Sequence, residues 1–559
     1  MSAAPSPLEA ARAWLAQDPD PVTRDELSAL IDAASTGDAS AAADLDDRFG
    51  ARLAFGTAGL RGRLGAGSNR MNRVLVSQAA AGLAAYLREK AGPDATPLVV
   101  IGYDGRRNSD VFAQDSAELF AGAGLRAVLL PRLLPTPVLA FAVRHLGAAA
   151  GVMVTASHNP PDDNGYKVYL GGADDGSQIV SPADAEIAAH IDRVAATTPL
   201  GDLPRGAYEI ADESVVDAYV AATAAVAPAP AGAAGMNWVY TAMHGVGYET
   251  LASILRAAGY PLPVVVEAQI EPDGRFPTVA FPNPEESGAM DLSFATARDA
   301  GAEFILANDP DADRLAVAIP DEGAEGGWRR LTGNETGLLL GWRAARRASA
   351  GASGSLACSL VSSPGLQTVA EHYGLDFHAT LTGFKWISRA PGLVYGFEEA
   401  LGYLVNPDTV RDKDGVSAAV AMLGMIAEAR AEGQTVADLL AEFADTFGFF
   451  QSGQVSLRVD DVAVIGRIMA ALRADPPAQI GDVAVERIDD LLTGVDGFPP
   501  GDVLRLWLVD GSRVIVRPSG TEPKLKAYLD VRGDSATDAA SRLAALDAGA
   551  RALIAAARA

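Results

Sequence analysis

Residues 98–160 decide the fold of this chain, because three short apolar stretches alternate there with two helical ones. The stretches are LVVIGYDGR (98–106), RAVLL (126–130) and GVMVTASHNP (151–160). Apolar residues recur at helical spacing between them, over Val111–Gly122 and Thr136–Leu146. Short buried strands that alternate with helices are typical of βαβ units. We therefore expect a mostly parallel sheet covered on both faces.

The same alternation returns twice along the chain, and the C-terminal part differs. A second round spans residues 237–308 and a third spans 333–432, whereas the stretches VSLRV (455–459), LRLWLV (504–509), RVIVRPS (513–519) and KLKAYLDV (524–531) have the alternating pattern of strands. Two short helices are expected before residue 50. The predicted fold class is α/β: three successive similar α/β domains with mixed, mostly parallel sheets, and a C-terminal α+β domain with an antiparallel sheet, arranged around a central cleft. The predicted domains are residues 1–205, 206–325, 326–445 and 446–559.

Composition excludes several classes of partner. The 559 residues contain 45 Lys+Arg and 71 Asp+Glu, a formal net charge of −26, so nucleic acid and anionic membranes are not expected to bind. No secretory signal and no run of about 18 apolar residues is present. The single cysteine, Cys358, cannot form an intrachain disulfide, which favours a cytoplasmic location. An anionic ligand would need locally concentrated positive charge.

A hydroxyl and an imidazole follow the third apolar stretch, in Thr155-Ala-Ser-His-Asn-Pro160, ahead of Asp163-Asn-Gly-Tyr-Lys167. A serine at the carboxyl end of a parallel strand lies where α/β sheets present ligands. A capped turn would use the same residue types, and the G-x-S-x-G elbow of a triad hydrolase is absent. Alone, this motif is weak evidence for a nucleophile.

Three carboxylates alternate in Asp309-Pro-Asp-Ala-Asp-Arg314, directly after the strand at 303–308. Such a loop can converge on one hard cation such as Mg²⁺. A solvated acidic loop is the alternative, but three like charges at a strand end repel one another unless a cation compensates them. Pro310 and the missing glutamate tail exclude an EF-hand.

Three further loops carry polar groups. Gly396-Phe-Glu-Glu-Ala-Leu-Gly402 offers paired carboxylates, either to sugar hydroxyls or as a helix cap. Arg517-Pro-Ser-Gly-Thr-Glu-Pro-Lys524 combines a guanidinium, two hydroxyls and a glycine-flanked backbone, which makes an anion cradle that a plain turn does not explain. Gly56-Thr-Ala-Gly-Leu-Arg-Gly62 lacks the G-K-[ST] of a Walker A motif and by itself reads as a loop.

Taken together and in this order, the motifs resemble those of the α-D-phosphohexomutase family of phosphoglucomutases and phosphomannomutases. The matching strings are FGTAGLRG (55–62), TASHNP and DNGYKVY (155–169), DPDADR (309–314), TGFKW (382–386) and RPSGTEPK (517–524). They resemble most the branch with phosphoglucomutase and phosphopentomutase. The resemblance implies an intramolecular phosphotransferase that moves phosphate between C1 and C6 of an aldohexose. Glucose 1-phosphate is the leading substrate, and the route is a phosphoserine enzyme and a sugar 1,6-bisphosphate.

The same resemblance implies roles for individual residues. Ser157 would carry the phosphoryl group, with His158 and Arg61 facing it and Lys167 transferring protons. One Mg²⁺ per chain would be bound by Ser157, Asp309, Asp311 and Asp313, and glucose 1,6-bisphosphate would act as activator and intermediate. The expected substrate-binding residues are Arg314, Lys385, Glu398, Glu399, Arg411, Lys413, Arg517, Ser519, Gly520, Thr521 and Lys524. The partner is a small phosphosugar, and the chain is expected to be a monomer or homodimer.

Two departures from the family pattern bear on specificity. Ala400 stands where some relatives have a serine, and Phe384 stands where bacterial phosphomannomutases carry a histidine. A phosphomannomutase or phosphopentomutase preference and a sugar-1,6-bisphosphate synthase therefore stay open as alternatives. A non-catalytic phosphosugar-binding protein would require a damaged nucleophile or metal loop, and both are intact.

Overall fold

The computed structural model describes residues 6–349, 353–495, 497–519 and 523–558. Over these residues, three sheets contain parallel strand pairs and a C-terminal sheet is antiparallel. The predicted fold class, three α/β domains followed by an α+β domain, is confirmed. The domain limits at residues 205, 325 and 445 stay a prediction.

The first domain is built on a sheet with the strand order β1-β5-β4-β2-β3-β7, in which β6 pairs with β5. Its elements are α1 (Pro7–Gln17), α2 (Pro21–Ser35), α3 (Ala39–Phe49), β1 (Leu60–Arg63), α4 (Arg73–Ala91), β2 (Leu98–Tyr103), α5 (Ser109–Gly122), β3 (Arg126–Leu129), α6 (Thr136–His145), β4 (Ala150–Val154), β5 (Asp163–Leu170), β6 (Ser177–Gln178), α7 (Ala183–Thr197) and β7 (Glu209–Ile210). Strand β2 is parallel to β3 and β4, whereas β5 is antiparallel to β1 and β4. Strand β4 is fully buried, so packing fixes the position of its carboxyl end, where the next loop begins.

The second domain repeats this plan with the strand order β12-β11-β10-β8-β9. Its elements are α8 (Ser214–Ala224), β8 (Trp238–Thr241), α9 (Gly247–Ala258), β9 (Val264–Val265), α10 (Asp291–Ala300), β10 (Phe304–Asn308), β11 (Leu315–Pro320) and β12 (Trp328–Arg330). Strand β10 is parallel to β8 and antiparallel to β11. The acidic loop 309–314 therefore connects two adjacent buried strands.

The third and fourth domains contain the remaining elements. These are α11 (Gly333–Ser349), β13 (Ser355–Ser359), α12 (Gly365–Tyr373), β14 (Asp376–Thr380), α13 (Phe384–Ile387), β15 (Leu393–Glu398), β16 (Gly402–Leu404), α14 (Gly415–Ala431), α15 (Val436–Phe447), β17 (Phe449–Arg458), α16 (Ala463–Ala474), β18 (Gln479–Ile480), β19 (Val483–Asp490), β20 (Leu504–Leu508), β21 (Arg513–Pro518), β22 (Lys524–Gly533) and α17 (Ala536–Arg558). Strand β13 is parallel to β14 and β15, and the last sheet has the order β17-β22-β21-β20-β19-β18.

The chain divides into two compact units. The first runs through residue 330 and includes residues 402–428, and the second consists of residues 331–401 and the chain from 429 onward. The segment 402–428 therefore belongs to the same compact unit as the first two domains. No helix of the described residues is both long and apolar enough to cross a membrane.

Local predictions differ from the structure at three places. Three helices, not two, precede residue 50, and the missed helix α1 starts at a capping box in which Ser6 and Glu9 exchange hydrogen bonds of 2.9 and 3.3 Å. The stretch expected to be a loop at 56–62 contributes β1, because β5 provides a partner strand. The expected single strand at 393–403 is interrupted after Glu398 by a turn in which Leu401 has a φ of 63°.

Candidate active site

The loop after β4 brings the predicted nucleophile to the aspartate loop. Ser157 is 1% exposed, and its Oγ donates to Asp309 Oδ2 at 3.0 Å. The same hydroxyl lies 3.2 Å from His158 Nδ1. Although 152 positions separate the serine from the aspartate in sequence, both lie at the carboxyl ends of buried strands, where ligands bind in α/β sheets.

The aspartate loop has the donor set of a metal site. Asp309, Asp311 and Asp313 are fully buried, and one oxygen of each lies within 4.8 Å of the others. Asp311 Oδ1 and Asp313 Oδ1 have no hydrogen-bond partner among the described residues. Buried carboxylate oxygens without donors are unfavourable unless a cation compensates them, so these residues fit a hard divalent ion.

Two lysines contact this loop, one that precedes it in the sequence and one that follows it. Lys167 Nζ, on β5, donates to Asp311 Oδ2 and Asp313 Oδ2 at 2.7 Å each. Lys413 Nζ lies 2.7 Å from Asp313 Oδ2, and Arg314 Nε lies 3.9 Å from Asp313 Oδ1. The positive charge that the acidic composition required is thus concentrated beside the loop.

Burial and neighbouring charges shift the pKa values of Asp309 and Asp313 in opposite directions. Burial, together with the two other aspartates, holds the pKa of Asp309 well above its usual range. Burial also opposes ionisation of Asp313, but the Lys167 and Lys413 ammonium groups outweigh it and lower the pKa of that carboxyl. Burial and two nearby guanidinium groups hold the pKa of His158 well below its usual value, which favours the neutral imidazole.

Of the three predicted arginines of the first unit, Arg61 and Arg411 have different surroundings. Arg61 is held on β1, paired with β5, and its Nη1 donates to Asn159 Oδ1 at 3.2 Å, beside the nucleophile. Arg411 instead donates from Nε to Asp175 Oδ2 at 3.1 Å. The structure therefore brings Arg61 to the serine loop and pairs Arg411 with a carboxylate outside the aspartate triad.

In the second unit, the paired glutamates lie at the end of β15. Glu399 Oε2 accepts from Ser359 Oγ and Ser362 Oγ at 3.1 Å each, and Glu398 Oε1 accepts from the Gly383 N–H at 3.1 Å. Burial and the adjacent Glu398 raise the pKa of Glu399 to about 7. The pair is thus held in place by hydroxyl and backbone donors.

The predicted anion cradle begins in the same unit, at the end of β21. Burial and the charge of Glu399 raise the pKa of Tyr528, and a hydrogen bond with Arg517 opposes this shift. Tyr528 therefore interacts both with the cradle and, electrostatically, with the glutamate loop. The Ser519 N–H donates to the Lys524 carbonyl at 2.8 Å. Lys385 lies on α13, and Gly520 and Thr521 lie outside the described residues.

Sequence reasoning missed several residues that hold these groups. Thr136, at the start of α6, donates from Oγ1 to Asp311 Oδ2 at 2.7 Å. Tyr169 donates to Asp412 Oδ2 at 2.8 Å, beside Lys413. Arg106 Nη2 donates to the Ser157 carbonyl at 2.7 Å. Charged residues directly after a buried strand, in YDGR (103–106), were the available signal for this last contact.

Models of four family domains match most of the chain. They are described as phosphoglucomutase/phosphomannomutase alpha/beta/alpha domains I, II and III, at residues 52–198, 217–323 and 332–447, and as the C-terminal domain, at 458–546. Helices α1 to α3 precede the first matched residue.

Curated relatives carry the names of mutases for different sugars. A Haemophilus influenzae protein named "Probable phosphomannomutase" is 57% identical over 86% of this chain and 97% of its own length. A Schizosaccharomyces pombe protein named "Probable phosphoribomutase" is 34% identical over 94% of both chains. A Staphylococcus epidermidis phosphoglucomutase is 34% identical over 86% of this chain and 91% of its own.

A solved structure agrees in fold. A phosphoglucomutase/phosphomannomutase family protein from Burkholderia thailandensis superposes with a TM-score of 0.69 at 22% identity, covering 91% of this chain and 98% of that one. The matched family domains and the 57% identical relative show an enzyme of the intramolecular phosphotransferase type. The chain belongs to the phosphoglucomutase/phosphomannomutase family.

Proposed function

We propose that this enzyme interconverts glucose 1-phosphate and glucose 6-phosphate through a phosphoserine at Ser157 and a glucose 1,6-bisphosphate intermediate. The observation that carries the proposal is the 3.0 Å contact between Ser157 Oγ and Asp309 Oδ2 in a triad of buried aspartates. Phosphoryl transfer requires mainly positioning and stabilisation of charge, and both are supplied around this serine.

The proposed cycle exchanges one phosphoryl group for another. In the first step the Ser157 Oγ–P bond breaks and phosphorus bonds to the oxygen of the free sugar hydroxyl, whose proton is relayed to the released Ser157 Oγ. In the second step the other P–O bond of the bisphosphate breaks and the phosphoryl group returns to Ser157 Oγ, whose proton is relayed to the leaving sugar oxygen. We assign proton transfer to Lys167. Its Nζ lies 2.7 Å from Asp311 Oδ2 and from Asp313 Oδ2, beside the loop where the transfer would occur, and a lysine side chain can relay a proton there.

The remaining cationic and polar residues are assigned to charge and recognition. Arg61 and His158 would face the transferring group, and Arg314 and Lys413 would contribute positive charge beside it. One Mg²⁺ held by the three aspartates and the phosphoserine would stabilise negative charge on the transferring group. Arg411 and Lys385 are also proposed to contact the substrate.

The second unit would recognise the sugar and its non-reacting phosphate. Glu398 and Glu399 would accept hydrogen bonds from vicinal hydroxyls, which serves either orientation of the bisphosphate. The cradle residues Arg517, Ser519, Gly520, Thr521 and Lys524 would hold the second phosphate. Binding energy from that remote phosphate is available to favour the chemical step.

The experiment is a coupled assay with Mg²⁺ and a trace of glucose 1,6-bisphosphate, comparing kcat/KM for glucose 1-phosphate, mannose 1-phosphate and ribose 1-phosphate. Ser157→Ala should abolish turnover of each. Ser77→Ala is the matched control, because Ser77 is also a fully buried serine and its Oγ has no hydrogen-bond partner among the described residues. No turnover by a wild-type protein that is phosphorylated on Ser157 would refute the mutase proposal.

Four alternatives have distinguishable outcomes. A larger kcat/KM for mannose 1-phosphate would assign a phosphomannomutase, which is the name of the 57% identical relative. A larger kcat/KM for ribose 1-phosphate would assign a pentose mutase, which the relative named phosphoribomutase favours because it matches 94% of this chain. Accumulation of sugar bisphosphate from a separate phosphoryl donor would assign a bisphosphate synthase. Binding of phosphosugars without any turnover would assign a binding protein.

We also propose a cytoplasmic monomer or homodimer without nucleic-acid or membrane partners. The net charge of −26 opposes association with polyanions. Cys358 is buried and is the single cysteine of the sequence, so it cannot form an intrachain disulfide, which agrees with a reducing compartment.

A further inference from the structure

The backbone of the proposed nucleophile has an unusual conformation. Ser157 has a φ of 52°, in the left-handed region that residues with a Cβ rarely adopt. Such a conformation persists only where the surrounding structure holds it, and it occurs often at functional sites. Because φ sets the direction of the Cα–Cβ bond relative to the chain, the groups that hold this backbone also set the direction of Oγ.

The N–H of Ser157 is held by a relay of two side chains. It donates to Thr155 Oγ1 at 2.8 Å, and that hydroxyl in turn donates to Asp104 Oδ2 at 2.7 Å. A hydroxyl has one proton, so its donation to the carboxylate leaves a lone pair free to accept from the backbone. Asp104 is 2% exposed and directly follows β2, the strand beside β4.

The carbonyl of Ser157 is held by one guanidinium group. Arg106 Nη2 donates to the carbonyls of Ser157 and Asn159 at 2.7 and 2.5 Å, and its Nη1 donates to those of Pro160 and Asp163 at 2.8 and 3.1 Å. Arg106 is 4% exposed. Four carbonyls around one planar fork fix the whole loop that follows β4.

The two anchors are joined to each other and to the second domain. The Arg106 N–H donates to Asp104 Oδ1 at 3.0 Å, so one carboxylate supports both the relay and the arginine. The guanidinium carbon lies 4.9 Å from the centre of the Phe276 ring, which covers its face. Both polar backbone groups of the nucleophile are therefore anchored on a single segment, residues 104–106.

We propose that Asp104, Thr155 and Arg106 are positioning residues for the nucleophile: they hold its backbone in the left-handed conformation that aims its hydroxyl at the aspartate loop. They act through Ser157 and not on the sugar. Loss of an anchor should therefore slow phosphoryl transfer and leave substrate affinity in place. This inference rests on the proposed role of Ser157.

The test compares Thr155→Val with Thr155→Ser in the full-length enzyme. Valine keeps the shape of threonine but cannot relay the hydrogen bond, whereas serine keeps the hydroxyl. Thr250→Val is the matched control, because Thr250 is 2% exposed and its Oγ1 has no hydrogen-bond partner among the described residues. Turnover of glucose 1-phosphate is measured per phosphorylated protein, with phosphorylation determined by intact mass.

Thr155→Val should lower kcat about a hundredfold, the effect of misplacing a reacting group by about 1 Å, while KM changes by less than about twofold. Thr155→Ser should restore most of kcat, and Thr250→Val should match the wild type. If Thr155→Val does not accumulate as folded protein, Arg106→Lys replaces it, because an ammonium group cannot reach four carbonyls in the plane of a fork. The same loss of kcat at unchanged KM is then expected.

The inference is overturned if Thr155→Val or Arg106→Lys retains the wild-type kcat. It is overturned as well if Thr155→Ser lowers kcat as much as Thr155→Val does. It is also overturned if the loss lies mainly in KM. Absence of turnover in the wild type would refute the proposed function, and this inference with it. An active wild type that loses activity in Ser157→Ala separates the two questions.

Discussion

Replacement of Lys413 by methionine tests how the aspartate loop is stabilised. Lys413 Nζ lies 2.7 Å from Asp313 Oδ2, and its side chain is 12% exposed. Methionine retains the apolar length of lysine and removes the charge. Removal of one partner of a buried ion pair costs about 3 kcal/mol or more, because the other charge stays buried. Lys167 still contacts Asp313, so we expect the lower end of that range.

The change should appear in thermal unfolding. For domains of up to about 250 residues, about 1 kcal/mol shifts the midpoint by about 2 °C or more, and the shift decreases with size. The first unit is larger than that, so we expect Lys413→Met to lower its midpoint by about 3 to 6 °C in EDTA. With saturating Mg²⁺ the difference should shrink, because a bound cation would compensate the carboxylates that the lysine leaves.

Lys90→Met is the matched control. Lys90 Nζ lies 2.8 Å from Glu186 Oε2, nearly the same separation, but the two side chains are 52% and 41% exposed. Exposed ion pairs contribute little to stability, so this variant should unfold like the wild type. Equal shifts for the two lysines would refute the argument from burial. A Lys413→Met deficit that Mg²⁺ leaves unchanged would refute the link between this lysine and a cation site.

Two further variants test other parts of the fold. Because the pKa of Glu399 is raised to about 7, the folded protein holds a proton there that the unfolded chain loses near the usual carboxyl value of 4.5, so stability should fall as pH rises between these values. Glu399→Gln should flatten that slope in midpoints measured against pH, and an unchanged slope would count against it. Arg48→Gln should cost about 1 kcal/mol of stability, because Arg48 pairs with Glu26 at 2.9 Å and donates to the Ala66 carbonyl at 3.2 Å in the loop after β1. Arg12→Gln, in α1, should leave the unfolding midpoint unchanged, and equal effects of the two would contradict the idea that Arg48 holds α2 and the loop after β1.

The side chains that carry chemistry were predictable from sequence because their types and spacing restrict what they can do. Ser157 and Asp309 are far apart in the chain and follow strands of two different sheets, but each lies at the carboxyl end of a buried strand, where α/β sheets bind ligands. Arg411 shows the limit of that reasoning. Its partner, Asp175, lies 236 positions away in sequence, and no pattern in either segment indicates the pairing.

Residues that hold the backbone were harder to predict. Arg106 acts on carbonyl oxygens, which every residue has, so the sequence contains no matching signal in its partners. Thr136 appeared only as the start of a helix, yet its hydroxyl donates to the aspartate loop. β1 was missed for a similar reason: a strand at a sheet edge depends on its neighbour, and among the described strands β1 pairs only with β5, which lies about 100 positions away in sequence.

The serine loop and the aspartate loop each contain one residue other than glycine in the left-handed backbone conformation. In an extended chain Asp309 and Asp313 would lie about 13 Å apart, since each residue advances about 3.3 Å. Ala312 has a φ of 55°, and the turn it makes helps to bring one oxygen of each aspartate within 4.8 Å of the others. Ser157 uses the same left-handed region, with a φ of 52°. Each such residue costs about 1 to 2 kcal/mol, which the surrounding hydrogen bonds must offset. The chemistry of the site therefore depends on a few side chains, and its geometry depends on the groups that hold two strained turns.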